Sequence, residues 1–466
     1  MSLPLVLMTL FLILGLAAFL LRRHPGWVAF FSAAGVASAA ALVFFAPLDQ
    51  PLEIAGLAFK FEPAFQILGR TLRFNEQNRI VLALLLAISS FLFGGSWVVY
   101  PHPLFHVAGF LMLAMVTASI LVQPFLFAAI FLEFAAMGAI LMFRNSDLDI
   151  QRASLRLLAF YTLAMIAILL SGWLLENVTA SRLDPNLTTP ATYLLGLGIA
   201  VVMAVPPFHL WLPNAARLEN AYPMTFAVII LQTAGLFMML QFLEQFLWLR
   251  SNPAVMMSLR YAGAGMVFLG GLWALAQQSM TRMGAFALLA DFGIVLLAAG
   301  LNSRIGFEVA LGLSGVRVFG LGTWGLSLSI LRRRLNTDDF KAMRGVAFTD
   351  PLTSGALMIG ILALAGFPLT SGFPARWALI SGLAGEGLFY SLVLLFGWLS
   401  IGGASIRWGL VLLSEPEQEH AYPSLVSRER VLLLGGVGLC VLTGLFPQWV
   451  FPWILRALDG FPQLVP

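Results

Sequence analysis

The sequence predicts an all-α integral membrane protein of about fourteen transmembrane helices, arranged as two inverted five-helix repeats that each contain a broken helix. The first supporting observation is composition: the 466 residues are 60% hydrophobic and 10% charged, and the mean hydropathy is +0.92. A soluble domain carries about 25% charged residues. The second observation is that two long apolar segments, one in each half of the chain, are interrupted by prolines.

The predicted spans follow from length, because crossing a bilayer as a helix takes roughly 20 apolar residues. They lie near 3–21, 26–46, 80–99, 104–122, 124–143, 155–175, 191–218, 223–245, 259–278, 282–302, 307–331, 352–382, 387–413 and 431–457, with 191–218 and 352–382 broken. Partial alternation of apolar residues within the loop 47–79 predicts a short hairpin or an amphipathic piece there.

The spans divide the chain into four parts. We expect N-terminal helices with an extracytoplasmic loop over 1–103, a first five-helix repeat over 104–245 and a second over 259–413. A cytoplasmic loop and the C-terminal transmembrane helix occupy 414–466. Each repeat holds an odd number of spans, so the two would sit inverted in the membrane, as in many transporters.

Charge distribution predicts the orientation. Roughly fourteen Lys and Arg residues fall on one side of the membrane against about nine on the other, which makes the richer side cytoplasmic. We therefore expect a multi-pass protein of the inner (cytoplasmic) membrane, with both termini extracytoplasmic. The basic residues are not clustered as nucleic-acid binding needs, so the expected surroundings are lipid and membrane partners. The single cysteine, Cys440, excludes an intramolecular disulfide and paired-cysteine metal sites.

The prolines mark the two predicted helix breaks. Proline has no backbone N–H, so Pro206, Pro207 and Pro213 leave carbonyls unbonded that a continuous helix would satisfy. Pro368 and Pro374 do the same in the second segment. Lipid cannot bond those carbonyls, and a broken helix at membrane depth is tolerated only within a bundle or beside a wet cavity.

Three polar residues of the first half are candidates for a proton path. Glu133 lies near mid-span with no charge close in sequence, and a carboxyl in apolar surroundings could load and release a proton. The alternative is a neutral, hydrogen-bonded structural carboxyl. His209, at the first break, could titrate near neutral pH or cap the freed carbonyls. Gln232 is a mid-span amide that can bond water but cannot carry charge.

Three charged residues of the second half complete the candidate path. Asp291 and Arg317 lie in adjacent spans and either pair with each other or line a wet path. Arg376 follows the second break; arginine stays protonated, so it could hold water and bias a neighbouring acid. Its alternative role is a paired structural charge. No metal site is predicted.

Four stretches together resemble one protein family. The run Pro-Phe-His-Leu-Trp-Leu-Pro-Asn-Ala at 207–215 resembles the Pro-x-His-x-Trp-Leu-Pro-Asp-Ala signature of antiporter-like membrane subunits. Those subunits occur in respiratory complex I, membrane-bound hydrogenases and multisubunit cation/proton antiporters. The stretches 132–134, 274–282 and 365–377 resemble the family's glutamate-bearing fifth span, its Ala-Leu-x-Gln junction and its twelfth span. The resemblance covers roughly 105–415.

The departures from the family concern its lysines. In the alignment with the family, Val202 stands at the position of the lysine that would pair with the fifth-span glutamate. Gln232 stands at the position of the eighth-span lysine or histidine. Thr281 replaces the lysine of the junction, and Arg376 replaces the lysine or glutamate of the twelfth span. Arg317 lies near the position of the basic residue in the eleventh span. Proton relay by this chain would therefore rest on Glu133 and the remaining groups with water, or the chain is a copy that packs without conducting.

Three functions remain open at this stage. The resemblance implies a non-redox membrane-arm subunit of an NADH:quinone oxidoreductase-type complex, with partners that include further antiporter-like subunits. No haem ligand pair, flavin motif or iron–sulfur cysteine set is visible, so the chain is expected to hold no cofactor and partner subunits would carry the electrons. The second possibility is a subunit of a cation/proton antiporter or an inorganic-carbon uptake complex. The third is a non-pumping scaffold.

Overall fold

The computed structural model describes residues 2–46, 52–54, 57–59, 61–67, 69–99, 102–143, 148–175, 185–216, 221–383, 385, 387–415 and 425–464. Three helices precede the predicted first repeat: α1 Leu3–Leu20, α2 Pro25–Phe45 and α3 Glu76–Val99. The first repeat contains α4 Phe105–Leu121, α5 Ala128–Met142, α6 Leu148–Leu175, α7 Pro185–Val202, α8 Trp211–Ala215 and α9 Ala221–Gln245.

The second half is again helical. A short helix, α10 Leu247–Arg250, leads into α11 Pro253–Ala276, α12 Met280–Ala299 and α13 Arg304–Leu335. The next helices are α14 Phe340–Met343, α15 Val346–Thr349, α16 Pro351–Ala365, α17 Phe373–Leu383 and α18 Leu388–Leu412. The described chain closes with α19 Ser427–Leu445, α20 Pro447–Leu455 and a 3₁₀ helix, Arg456–Gly460.

Short strands interrupt the helical pattern in the predicted extracytoplasmic loop. Strands β1 Leu52–Ile54 and β2 Leu57–Phe59 pair antiparallel. Strands β3 Ala64–Ile67 and β4 Arg70–Arg73 form a second hairpin, and β5 Val122–Gln123, which follows α4, pairs with β4. The loop therefore contains hairpins, as one of the two sequence expectations had it, and β5 attaches the second hairpin to the helix bundle.

The helices confirm a multi-pass α-helical membrane protein. Among the described residues, ten helices are long and apolar enough to cross a bilayer, or twelve if each of two sharply bent pairs is one span. The bends lie before α16 and after α19, and α4 and α7 are apolar but shorter. The number fourteen stays a prediction.

The two predicted repeats share one packing pattern. In the first, α5 packs against α4 and α6, α6 packs against α7, and α9 packs against α4 and α5. In the second, α12 packs against α11 and α13, α13 packs against α16, and α18 packs against α11 and α12. Each helix of one set thus has a counterpart with equivalent neighbours in the other. The domain boundaries and the inverted orientation stay predictions.

Helix α13 lies at the centre of the bundle. It packs against α3, α9, α12, α16, α17 and α19, and most of its residues are buried. It begins where the Ser303 side chain accepts a hydrogen bond from Gly306 N (3.2 Å), which satisfies one of the free N–H groups of the first turn. It ends at Asn336, whose φ of +60° is a left-handed C-terminal cap. The core of the protein is organised around this helix.

Ion pairs join several helix ends on the predicted cytoplasmic side. Arg333, near the end of α13, donates to Glu429 of α19 (2.6 Å) and to the carbonyl of Val98 in α3 (2.9 Å). Arg334 pairs with Asp350, which caps α16, and lies 3.6 Å from Glu429. Three helices outside α13 are therefore tied to its basic end.

Candidate functional site

The first predicted break is present between α7 and α8. Helix α7 ends at Val202, and Ala204 has a φ of +56°, outside the helical region. The Pro206–Pro207 peptide bond is cis. A single 3₁₀ turn, Phe208–Leu210, then leads into α8. The sequence expectation of an interrupted helix at this position is confirmed.

The five prolines predicted as helix breakers lie within or directly after the two interruptions. Pro206, Pro207 and Pro368 lie within the two interruptions, as expected. Pro213 and Pro374 lie directly after the interruptions, in the first turns of α8 and α17. A first-turn N–H has no intrahelical acceptor, so proline costs little there. These two prolines start helices rather than end them.

Neutral polar groups lie at the first break. Gln232 of α9 is 2% exposed, and its Nε2 donates to the carbonyl of Val202 at the end of α7 (3.2 Å). Gln232 Oε1 and His209 Nδ1 are buried, and neither has a hydrogen-bond partner among the described residues. The freed carbonyl is thus bonded by the amide, and Nδ1 of His209 does not cap it. Two polar atoms remain with spare bonding capacity.

Replacing Gln232 with leucine should lower the free energy of unfolding by about 1 kcal/mol, because Val202 O loses its donor inside the bundle. Thermal unfolding of the purified protein in detergent measures the change. Gln278→Leu is the control, since Gln278 is exposed and its side chain has no hydrogen-bond partner among the described residues, while its backbone carbonyl accepts from Phe340 N. A Gln232→Leu protein as stable as the wild type would contradict a stabilising amide–carbonyl bond.

Glu133 lies on α5, and its side chain contacts α6. The hydroxyl of Thr162 in α6 donates to Glu133 Oε1 at 2.6 Å, and both residues are half-buried. No Lys, Arg or His side chain pairs with Glu133 in the part of the chain that the structure describes. Val202, at the position of the family's lysine, supplies no charge. The carboxyl therefore has a polar neighbour but no basic partner.

The second break lies between α16 and α17. Helix α16 ends at Gly366, which has a φ of +73°, and Leu369 in the connecting turn has a φ of +72°. The Thr370 hydroxyl donates to the carbonyl of Phe367 (2.6 Å), and the N–H of Phe373 donates to the carbonyl of Thr370 (3.1 Å). This interruption also confirms the sequence expectation.

Three predicted charges meet beside the second break. Asp291 of α12 lies between two guanidinium groups: its Oδ1 is 2.5 Å from Nη2 of Arg376 in α17, and its Oδ2 is 3.1 Å from Nε of Arg317 in α13. The three residues are 1%, 2% and 6% exposed, respectively. Asp291 therefore pairs with Arg317, which was one of the two alternatives for these residues. Arg376 is also paired, as its structural alternative had it. We call these residues the charge cluster.

Further contacts hold both arginines. Arg376 donates from Nη2 to the carbonyl of Leu364 (2.7 Å) and from Nη1 to the carbonyl of Gly372 (3.0 Å). It thereby satisfies carbonyls that the break frees. Arg317 donates to the hydroxyl of Ser314 (3.3 Å) and places its guanidinium carbon 4.9 Å from the ring centroid of Phe292.

The chemical capacities of the two breaks differ. Arginine does not give up its proton in proteins, so Arg317 and Arg376 are fixed charges. Glu133 and His209 can exchange protons, and Gln232 can orient water. Whether these six residues form one proton path stays a prediction. Among the described residues, no group of three His, Cys, Asp or Glu side chains could hold a metal ion.

Sequence reasoning missed the neutral residues that support the site. Thr162, Ser314 and Phe292 contact Glu133 or Arg317, yet nothing in the sequence distinguishes them from other small polar or aromatic residues of apolar helices. The carbonyls bonded by Arg376 are equally invisible. An i,i+3 spacing places Ser314 beside Arg317 on one helix face, and this is the one signal that could have found it.

Comparison with known proteins gives three results. Residues 173–401 match the family model described as NADH:quinone oxidoreductase/Mrp antiporter, TM. Hydrogenase-4 component B of Escherichia coli is 25% identical over 456 residues, with 88% of this chain and 67% of that protein covered. NADH-quinone oxidoreductase subunit N 1 of Solidesulfovibrio magneticus is 28% identical over 305 residues, covering 61% of this chain and 63% of that protein. The match thus spans about two thirds of each relative's length.

A solved structure shows the same fold. A chain of the membrane-bound sulfane sulfur reductase, an archaeal respiratory membrane complex, superposes with a TM-score of 0.83 at 17% sequence identity. The superposition covers 99% of this chain and 98% of the other. At that identity the likeness concerns the fold.

Proposed function

The chain is homologous to the antiporter-like membrane subunits of NADH:quinone oxidoreductase-type and related complexes, and from this premise we propose that it contributes to proton translocation as a non-redox membrane-arm subunit. Partner subunits would carry out quinone reduction. The observation that best supports a proton-handling role is the set of polar atoms at the first break. Gln232 Oε1 and His209 Nδ1 are buried in the bundle, and neither has a partner among the described residues.

The proposed path runs through the first five-helix set. Glu133 takes up and releases the proton, and the Thr162 hydroxyl orients its carboxyl group. Water molecules bonded to Gln232 Oε1 and His209 Nδ1 relay the proton beside the interruption of α7. A carboxyl, an imidazole and an oriented amide are groups that can change protonation or hold water in line. The charge cluster contributes no exchangeable proton through its arginines.

The proposed setting is a multisubunit complex. The chain would pack beside other membrane-arm subunits, including further antiporter-like ones, in the inner (cytoplasmic) membrane with both termini extracytoplasmic. A chain of similar fold occurs in an archaeal respiratory membrane complex, which supports assembly with partners. A cation/proton antiporter or inorganic-carbon uptake complex is the alternative setting. Copurification decides between them, since iron–sulfur and quinone-site subunits mark the first setting and small antiporter subunits or a zinc protein mark the second.

Glu133→Gln tests the role of this chain directly. In inverted membrane vesicles that contain the assembled complex, substrate-driven proton uptake should fall by roughly 100-fold, because glutamine keeps the hydrogen bond to Thr162 but cannot exchange a proton. Fluorescence quenching of a pH-sensitive acridine measures uptake. The complex should assemble normally, since the side-chain shape is preserved.

Glu308→Gln is the matched control, because Glu308 is a carboxylate of α13 that pairs with the exposed Arg304 at 2.9 Å. Its uptake should stay within about twofold of wild type, as surface pairs contribute little. Wild-type uptake by the Glu133→Gln complex would assign this chain the scaffold role. One observation favours that second candidate: Glu133 has no basic partner among the described residues.

A further inference from the structure

The two helix breaks differ in how their polar groups are bonded. At the second break the carbonyl of Leu362 accepts from Phe367 N (2.9 Å) and from the Thr370 hydroxyl (3.4 Å). The carbonyls of Leu364 and Gly372 accept from Arg376. Because these backbone carbonyls already accept hydrogen bonds from protein groups, few of them are free to bond a chain of water molecules. The buried side-chain atoms without a hydrogen bond differ as well: they are neutral at the first break, Gln232 Oε1 and His209 Nδ1, and charged at the second, Asp291 Oδ2 and Arg317 Nε.

The charge cluster has an excess of positive charge. Two guanidinium groups share the single carboxylate of Asp291, and no other acidic side chain pairs with either arginine in the described part of the chain. The formal sum is one positive charge within the bundle. The face of the Phe292 ring stabilises it. So does the C-terminal end of α16, whose negative dipole end presents Leu364 O to Arg376.

We propose that the charge cluster is an electrostatic seal, which keeps protons and metal cations from crossing the protein at the second break. A fixed buried positive charge repels any cation that approaches through a low-dielectric medium. Pores that exclude protons and cations use an arginine or a positive helix end in the same way. The seal is independent of the proposed path through Glu133, since even a scaffold chain must not leak.

Arg317 supplies the excess charge. Arg376 is committed to Asp291 and two backbone carbonyls, so its removal would disturb the fold of the break. Arg317 contacts Asp291, the Ser314 hydroxyl and the Phe292 ring, and bonds no backbone carbonyl among the described residues. Replacing Arg317 with a neutral residue leaves Asp291 and Arg376 as a neutral pair.

The test is passive proton permeability of the intact complex in liposomes without substrate, driven by a potassium diffusion potential and followed with an internal pH dye. Arg317→Gln should raise permeability roughly tenfold, the effect of one charge over about 10 Å at an effective dielectric constant of about 20. Arg317→Lys keeps the charge and should stay near the wild type. Arg407→Gln is the matched control, because Arg407 is a part-buried arginine of α18 that also lies 4.9 Å from an aromatic ring, that of Phe340.

Arg317→His separates charge from shape. The charged groups that face position 317 are Asp291 and Arg376. Relative to wild type, this variant should be tight at low pH, where histidine is charged, and should leak at high pH, where it is neutral. A merely structural role for Arg317 predicts equal leak at both values.

The proposal is overturned if assembled Arg317→Gln complexes are as tight as wild type, or if Arg317→Lys and Arg407→Gln leak as much. It is also overturned if the leak of Arg317→His does not depend on pH, and this measurement decides the matter when Arg317→Gln fails to assemble. Because no substrate is present, these outcomes do not depend on whether Glu133→Gln abolishes coupled transport.

Discussion

Replacing Asp291 with alanine should lower the free energy of unfolding by about 3–5 kcal/mol, the cost of removing one partner from a buried ion pair. Asp291 is 1% exposed and contacts both Arg317 and Arg376. Without it two guanidinium groups face each other inside the bundle with no carboxylate between them. We expect a large drop in thermal stability in detergent and little assembled complex in membranes.

The control for this prediction is Glu308→Ala, which removes a carboxylate from the exposed pair with Arg304. Its effect should stay below about 1 kcal/mol, as solvent screening weakens surface pairs. If Asp291→Ala unfolds at the wild-type temperature, the charge cluster does not hold α12, α13 and α17 together. Asp291→Asn should be intermediate, since the amide oxygen can still accept one hydrogen bond.

Gly366→Ala should destabilise the protein by about 2–4 kcal/mol through two additive effects. Gly366 ends α16 with a φ of +73°, a conformation in which a Cβ clashes with the following carbonyl. A Cβ there would also overlap Cδ of the buried Arg376. Arg376 cannot move aside without losing its bonds to Asp291 and to Leu364 O.

Gly355→Ala is the matched control within the same helix. Gly355 lies in α16, and no heavy atom lies within 4 Å of a Cβ built there. Alanine is a better helix former than glycine, so this change should raise stability by up to about 1 kcal/mol. Thermal unfolding of both variants in the same detergent gives the comparison. Equal stability of the two would show that the space around Gly366 does not constrain the break.

The sequence was sufficient for the class of fold and for the positions of both breaks. Prolines within apolar runs remove helical hydrogen bonds, and Pro206, Pro207 and Pro368 lie in the two interruptions. Charges in apolar helices are equally conspicuous, so Asp291 and Arg376 could be singled out. Both signals are local, and local signals can be read from one chain.

The sequence could not predict which residues of the site contact one another. Asp291 and Arg376 are 85 positions apart, and their contact depends on how α12 and α17 pack. The partner of Glu133, the Thr162 hydroxyl, is 29 positions away on another helix. The sequence also cannot place Pro213 within or just after the break, because a proline that starts a helix and one that ends it look alike without knowledge of the helix register.

Helix α13 sets the depth of the excess charge. Its 32 residues make it about 48 Å long at 1.5 Å per residue, well beyond the roughly 30 Å thickness of the hydrocarbon layer. Arg317 lies about 20 Å along this helix, and the basic turn at Arg332, Arg333 and Arg334 forms its C-terminal end. The excess charge is therefore fixed near the middle of the longest helix of the bundle, with about 27 Å of helix on its other side, and the side chain that carries it is 6% exposed.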